Sequence, residues 1–435
     1  MAKVLFQSTN FRMFRTTLIG YLYEIAQKHE VILLTDQLDS YTQHVLDDKS
    51  LFPGLQKIVV FESSFGGNIL YKNYRLKKII QKIIQEYRPD IVMAPSDMWP
   101  SEMYLLRAAK KVGALTIAIQ SGFKIAGQRK MYIWSCLTNA HENIPNFLPL
   151  FFRLFLGKMK KYVGYFVYHW ILPLTVGEMP FLGKTSFVFW DESAGLRDAD
   201  YSAVFSKRDY DISIKDGVRA EKLFVIGHPF EHEATKRFFE KIYFSQHQKT
   251  GNDKTAVIMW SGESIGFDAK DYSIVPEEKI RKSKIAIVKH ISEILADWNI
   301  FIKPHPSVKS ISEIKEFLRQ IPSNISVVNP SDSADTYIEM SSVIVGMPLP
   351  STTLFTAQKQ HPNKIILSLN INNEFLGDSY KDFEGIEYID TEEQFIRVLD
   401  AIGDGTYQKK SSSVSNFDFA DTAELIDSLY AKRIA

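Results

Sequence analysis

Three short segments in the second half of this sequence carry residue types suited to an anionic ligand. Lys303-Pro304-His305-Pro306 sets an ammonium and an imidazole two residues apart, each followed by proline. A proline fixes its own φ and pushes the preceding residue toward extended backbone, so this turn is stiff. Held there, the two side chains could meet an anion; the same tetrapeptide could equally do no more than shape a turn with a solvated histidine. Ser310 and Glu313 follow it with capping-box spacing, which starts a helix reaching Leu318. The second segment is Pro350-Ser351-Thr352-Thr353. Ser351 is a natural N-cap, and leucine at position 354 removes the capping box, so the first helical N–H groups and three hydroxyls suit a phosphate. Plain helix capping is the alternative. The third is Ser261-Gly262-Glu263-Ser264, a loop of small residues. Neither a Walker-type P-loop nor a triple-glycine dinucleotide fingerprint occurs in the sequence.

The elements that must position these segments alternate between strand and helix. Lys3–Phe6, Val31–Leu34, Ile91–Ala94 and Leu115–Ile119 are short apolar runs, each closed by polar or turn residues. Between them lie amphipathic stretches: one carries Leu18, Leu22 and Ile25 on one face, and others span Leu76–Tyr87 and Glu102–Val112. The rhythm returns with strand-like runs at Phe187–Trp190, Ala203–Phe205 and Leu223–Ile226, the last closed by Gly227-His228-Pro229. After a polar linker at 242–254 come a strand at Thr255–Trp260, a helix at Ile280–Trp298, and strands at Ile300–Ile302, Val343–Val345 and Lys364–Leu369. Thr422–Ile434 reads as a final helix. This alternation predicts parallel, doubly wound sheets, whose ligands bind at the carboxyl ends of the strands. No internal repeat is visible.

Composition sets the outer bounds. At ~100–200 residues per domain, 435 residues make two or three domains, and 45% hydrophobic content supports full cores. Lys+Arg 52 against Asp+Glu 51 gives a net charge of +1, which does not point to nucleic acid. The single cysteine, Cys136, excludes an internal disulfide and a Cys-rich zinc site. The N-terminus turns polar too early for a signal peptide, so a cytoplasmic protein is expected.

Residues 124–185 break the pattern. Eight Lys/Arg there face only Glu142 and Glu178, and twelve aromatics are interleaved with them. The longest uncharged run, Tyr162–Gly177, is 16 residues, short of the ~20 that a spanning helix needs. Basic and aromatic residues mixed in this way fit an element lying on an anionic membrane leaflet. Core helices with a solvated basic edge are the other reading.

Taken together, the strand ending in Lys-Pro-His-Pro, the helix after it, and the strand leading to Ser-Thr at a helix start resemble the nucleotide-binding domain of GT-B glycosyltransferases. The likeness is greatest to bacterial surface-polysaccharide enzymes that use CMP-activated sialic, nonulosonic or Kdo sugars. The run from Ser206 to Gly227-His228-Pro229 also resembles the end of an N-terminal GT-B domain. The resemblance implies two Rossmann-like doubly wound domains facing a cleft. Residues 1–245 would form the acceptor-binding domain, with 124–185 as a basic aromatic insertion. Residues 246–415 would bind the nucleotide-sugar, and 416–435 form a C-terminal helix. It implies His305, Ser351 and Thr352 at the CMP phosphate, with Lys303 nearby; Pro306, Thr353, Ser261, Gly262 and Glu263 are further candidates for donor contact. Thr356-Ala357 stands where many UDP-sugar transferases carry Glu-Ala to hold the ribose, which favours a CMP donor.

Glycosyl transfer also needs a base for the acceptor hydroxyl and stabilisation of the departing phosphate. The loop from Gln7 to Phe14 holds neither acid nor histidine. Asp97, after the Ile91–Ala94 run, is the first candidate base, and Asp191-Glu192 the second; an Asx-turn would also explain Asp97. Arg12 and Arg15 are candidates for acceptor or donor-carboxylate contact. The expected reaction is an inverting, metal-independent transfer with no cofactor. Its acceptor would be a saccharide or lipid-linked glycan of capsule or lipopolysaccharide type, met at the cytoplasmic face of the inner membrane. A CDP-glycerol-type phosphotransferase, a sugar-nucleotide 2-epimerase of the same fold and a non-catalytic membrane-docked scaffold remain as alternatives.

Overall fold

The apolar runs become two separate all-parallel sheets. The computed structural model describes residues 1–8, 18–36, 38, 40–61, 69–96, 100–120, 198–215, 217–229, 232, 235, 237–238, 254–260, 277–305, 311–312, 314–315, 324–346, 352–371, 385–409 and 422–434. The chain divides into two compact units: Met1–Gly122, Tyr132–Gln246 and Phe417–Ala435 make the first, and Phe123–Met131 with His247–Asn416 the second. The expected strand at 187–190 and the basic aromatic segment 124–185 lie outside the described residues. No described helix is long and apolar enough to cross a membrane.

In unit 1 the strands are β1 (Lys3–Ser8), β2 (Glu30–Thr35), β3 (Leu55–Val60), β4 (Ile91–Ala94), β5 (Leu115–Ile119), β6 (Tyr201–Val204) and β7 (Leu223–Val225). They pair in the order β3-β2-β1-β4-β5-β6-β7. Described helices α1 (Ile19–Lys28), α2 (Ser40–Asp47), α3 (Ile69–Tyr87), α4 (Pro100–Lys111) and α5 (Lys207–Lys215) join or flank them. Alternation along β1 feeds two cores. Val4 and Phe6 pack with Leu18, Leu22 and Ile25 of the α1 side, while Leu5 packs with Ile80, Leu105 and Ala118 on the α3/α4 side. Strands buried on both faces are what near-continuous apolar runs produce.

Unit 2 repeats the plan. Its strands are β8 (Thr255–Trp260), β9 (Asn299–Pro304), β10 (Ile325–Val327), β11 (Val343–Gly346), β12 (Ile365–Leu369) and β13 (Glu387–Ile389), ordered β10-β9-β8-β11-β12-β13. Its helices are α6 (Glu277–Ile294), α7 (Ala334–Met340), α8 (Thr352–Gln360) and α9 (Glu392–Gly403). The doubly wound α/β class read from the sequence is the fold observed. The strands not read from sequence, β3, β10 and β13, are outer ones. β10 and β13 have three residues each, and β3 exposes Gln56, Lys57 and Val60 to solvent. The helix expected to run to Trp298 stops at Ile294, and Trp298 packs into the core beyond it.

The final helix, α10 (Thr422–Ile434), returns to unit 1 and inserts Leu425, Ile426 and Leu429 into the core beneath α1. Glu24 of α1, 6% exposed, organises this corner. Its Oε1 lies 2.7 Å from His232 Nδ1 and accepts from Thr235 Oγ1 at 2.5 Å, while Oε2 accepts the Thr422 N–H at 3.4 Å. The second ring nitrogen of His232 is 2.6 Å from the Ile226 carbonyl. Both ring nitrogens thus face oxygen atoms, which fix the ring between α1 and the end of β7. Tyr21, one turn earlier on α1, donates to the Gly227 carbonyl at 2.6 Å. Gly227 itself has φ of 73°, a left-handed turn that suits glycine as the chain leaves β7. Removing an acceptor that buried donors share costs about 1–3 kcal/mol. Glu24→Ala is therefore expected to destabilise unit 1 by that order, with Glu24→Gln milder. Hydrogen exchange of the β1 and β2 amides measures it, and unchanged protection would contradict the pairing.

Unit 2 carries a titration signature at the other end of its helices. His361 follows α8, its N–H donating to the Ala357 carbonyl at 2.9 Å. Burial, then the Lys364 ammonium, push its ring down to about 4. Burial draws Lys364 down to about 8 while its ammonium donates to the Ile338 and Glu339 carbonyls at the end of α7. The folded His361 pKa lies below the unfolded ~6.5, so between those values the unfolded chain takes up a proton that the folded one refuses. Stability of unit 2 is expected to fall as pH drops from 6.5 to 4, by on the order of 2 kcal/mol after solvent screening. His361→Asn should flatten that limb of a Tm-against-pH profile; an unaltered limb would assign it to carboxylates.

Candidate active site

In a doubly wound sheet, ligands bind outside the carboxyl ends of the strands where the strand order reverses. In unit 2 that point falls between β8 and β11, which are direct neighbours with Met259 beside Gly346. The segments beginning at Ser261 and Met347 therefore leave from either side of it. Ser261, Gly262, Glu263, Pro306 and Ser351 lie outside the described residues. Thr352 opens α8, and Thr353 is half-buried in its first turn.

Local packing fixes where α8 starts. A Cβ on Gly346 would lie 2.3 Å from Leu354 Cδ1, so the absent side chain lets the helix close directly over the end of β11. Leu354, Phe355 and Ala357 then fill the core on that face. No acidic residue occurs in α8, and Thr356 is buried.

The adjacent strand β9 brings Lys303 and His305 to the same edge. The His305 N–H donates to the Trp260 carbonyl at 2.8 Å, which bolts the His-Pro turn to the end of β8. The Lys303 side chain is 3% exposed, and its ammonium donates to the carbonyls of Pro304, at 2.7 Å, and Pro330, at 3.0 Å. At least two of its protons thus go to backbone, tying the turn after β10 to the end of β9. Its charge stays buried at the edge while its bonds serve positioning. Lys284 of α6, which no motif marked, is equally buried and holds its ammonium 5.1 Å from the Trp260 ring centre. Its lysine identity at an apolar helix position was the only signal available.

At the carboxyl edge of unit 1, the reversal falls between β1 and β4. Asp97, Asp191, Glu192, Arg12 and Arg15 lie outside the described residues. The structure adds Glu102, 2% exposed in the first turn of α4, which accepts a hydrogen bond from Ser96 in the turn after β4. Gln120, at the end of β5, accepts the Phe205 N–H at 2.9 Å and links β5 to β6. Two Asp-x-Asp triplets are engaged in the scaffold. Asp198 pairs with Arg107 and Asp200 with Lys110 and Thr116; Asp209 accepts from Ser206, and Asp211 pairs with Lys207. Burial works against the Asp200 charge, but bonds from Lys110 and Thr116 outweigh it and hold the carboxyl below its ordinary range. Among the described residues no cluster of three metal-ligating side chains occurs.

No protein-family profile matches the chain, and no curated protein matches it in sequence. Solved structures match it in fold. The UDP-GlcNAc 2-epimerase from Methanocaldococcus jannaschii is 12% identical over 99% of each chain, with a TM-score of 0.55. That from Neisseria meningitidis, bound to UDP-GlcNAc, is 13% identical over 99% of this chain and 100% of its own, with a TM-score of 0.53. A glycosyltransferase from Rickettsia africae is 12% identical over 100% and 98%, with a TM-score of 0.50. Two such sheets in one chain, matched end to end by these enzymes, decide the architecture. The fold is GT-B. At these identities the likeness carries the GT-B fold and no substrate.

If α8 must sit directly on β11, Gly346→Ala is expected to push its first turn outward. Overpacking of this kind costs about 1–3 kcal/mol. A Tm lowered accordingly is the expected result; an unchanged Tm would show that Leu354 yields freely.

Proposed function

We propose that this protein is a glycosyltransferase whose unit 2 holds a nucleotide-activated sugar, of the CMP-activated acidic class, for transfer to a saccharide or lipid-linked glycan. The observation that carries the reading is convergence at one edge. The Ser261 segment and the start of α8 leave from the two strands flanking the reversal point, and the His305 turn is bonded to the first of them. Backbone N–H groups at a helix start, small-residue loops and an imidazole on a turn bonded to the sheet are what a departing phosphate needs. His305, Ser351, Thr352 and Thr353 take the phosphate in this reading, with Ser261, Gly262, Glu263 and Pro306 beside it. Lys303 contributes buried charge and fixes the turn. Asp97, or Asp191 with Glu192, supplies the base, and Arg12 and Arg15 meet the acceptor or the sugar carboxylate. The absence of any carboxylate from α8 favours CMP over UDP, given the family likeness read from sequence. The basic aromatic segment 124–185 would keep the enzyme on an anionic membrane face.

A second reading has support of its own. The structures of similar fold include UDP-GlcNAc 2-epimerases, among them one bound to UDP-GlcNAc. A 2-epimerase needs the same phosphate-holding edge but no acceptor.

A thermal-shift titration with CMP, CDP, UDP and GDP separates the readings. A ligand at 100 times its Kd stabilises by ~2.7 kcal/mol, readily seen as a raised Tm. Stabilisation by CMP, abolished in His305→Ala, is expected. A response to UDP alone, with an epimerised sugar formed from UDP-GlcNAc without acceptor, would replace transfer by epimerisation. Silence toward all four nucleotides would refute both.

A further inference from the structure

Unit 1 has a cavity of about 520 Å³ walled by the turns from α3 into β4 and from α4 into β5, with one residue of α10. Both turns precede their strands, so the cavity lies at the amino edge of the sheet, away from the strand ends discussed above. Arg88, on the first turn, has φ of 42° and is the one non-glycine among the described residues with positive φ. Its N–H donates to the Ile84 carbonyl at 3.0 Å and closes α3. Helices commonly end in this left-handed conformation, which glycine adopts freely and an arginine only at a cost. Among the described residues the Arg88 guanidinium has no ion-pair or hydrogen-bond partner. A strained residue whose side chain makes no scaffold bond points to a ligand rather than to packing.

The charges lining the cavity narrow the ligand. Arg88 offers one positive fork, which a carboxylate meets with two parallel hydrogen bonds. Asp90 offers one negative charge: a single Oδ accepts the Lys3 N–H at 2.8 Å, and the other has no partner among the described residues. The two residues flank Pro89 yet form no ion pair with each other, so neither charge is spent. α3 and α4 both end here, and the carboxyl end of a helix favours a cation. A phosphate would face Asp90 with one guanidinium to balance it, and a lone ammonium would leave Arg88 unmet. A ligand carrying one group of each sign serves both. Pro89, the half-exposed Val112 and the Tyr430 ring add apolar wall. We infer that this cavity is a separate ligand site that binds a free α-amino acid with an apolar side chain. The carboxylate lies on Arg88, the ammonium on Asp90, and the side chain against Val112 and Tyr430. Nothing in this depends on which nucleotide unit 2 takes.

The test is a saturation-transfer NMR titration of the full chain with L-phenylalanine, L-leucine, 3-phenylpropionate and 2-phenylethylamine, with the Tm taken without ligand. The two amino acids are expected to bind, and the two analogues that keep one charge to bind at least about tenfold more weakly. Arg88→Gly, which relieves the left-handed turn, is expected to raise the Tm by about 2 °C and to abolish the signal. Binding lost from a protein that has gained stability is not lost through misfolding. Asp90→Asn keeps an oxygen for the Lys3 N–H, so it should fold, yet bind L-phenylalanine no better than 3-phenylpropionate. Equal binding of 3-phenylpropionate and L-phenylalanine by the unaltered protein would overturn the zwitterion, as would displacement of L-phenylalanine by equimolar inorganic phosphate. Undiminished binding in Arg88→Gly, or no signal from either amino acid, would overturn the site. A lowered Tm in Arg88→Gly would show that the guanidinium holds the fold, and would overturn it too.

Discussion

One buried carboxylate holds together two stretches of chain far apart in sequence. Glu24 meets His232 and Thr235 in the segment that follows β7, and the first N–H of α10 in the segment that returns to unit 1. The helix that presents it is ordinary: α1 is amphipathic and packs Leu22 and Ile25 into the core. What is unusual is a charge on its buried side. In a dry interior that charge is costly unless every lone pair is used, and here two side chains and a backbone N–H share it. The macrodipole of α10 adds to this, because an anion at a helix N-terminus is favourable. Lys28 and His29, at the end of α1, reach Glu424 and Asp427 on the same helix. A single helix therefore decides that residues 422–434 belong to the first unit although they follow the second.

The sheets give the complementary constraint. Strands buried on both faces must be apolar along their whole length, so little chemistry can sit within them. The polar residues accumulate where the strands end: Gln7 and Ser8 after β1's apolar run, Lys303 and His305 at β9, Gln120 after β5. Parallel strands deliver all those ends to one edge of each sheet. The reversal of strand order at β1/β4 and again at β8/β11 then opens a place between diverging connections. The architecture thus makes two candidate sites by construction, one per sheet, before any particular residue is considered.

That logic explains what was legible in the sequence. The long apolar runs Thr255–Trp260 and Ile91–Ala94 could only be buried strands, and the Gly-Pro-Asn-Asp punctuation between runs separated them. β10 and β13 escaped because three residues hold no period. β3 escaped because Gln56 and Lys57 interrupt its apolar pattern at an edge. At the site, Lys303 and His305 announced themselves through their prolines. Lys284 and Glu102 did not, since a charge on an amphipathic helix reads as solvent-facing, and only tertiary packing buries it. Gln7 was visible as the first polar residue after a strand. That its side chain meets no partner among the described residues is a property of three-dimensional packing that no sequence pattern encodes.

Lys303 shows why residue type and role must be argued separately. In sequence it is a cation beside a histidine at a strand end, an apparent phosphate ligand. In the structure its ammonium spans the Pro304 and Pro330 carbonyls. A neutral residue of similar length could not serve both acceptors, so the lysine is explained by backbone that would otherwise be unsatisfied. Its charge nonetheless stays at the strand end, within the fold. Buried Lys284 adds a second such charge on the neighbouring strand's side, next to Trp260. Unit 2 thus holds two lysines within the fold near the carboxyl ends of β8 and β9, one bonded to backbone carbonyls and one set against a tryptophan ring. At 12% identity a shared GT-B scaffold fixes where the strand ends gather and leaves the groups placed there free to differ.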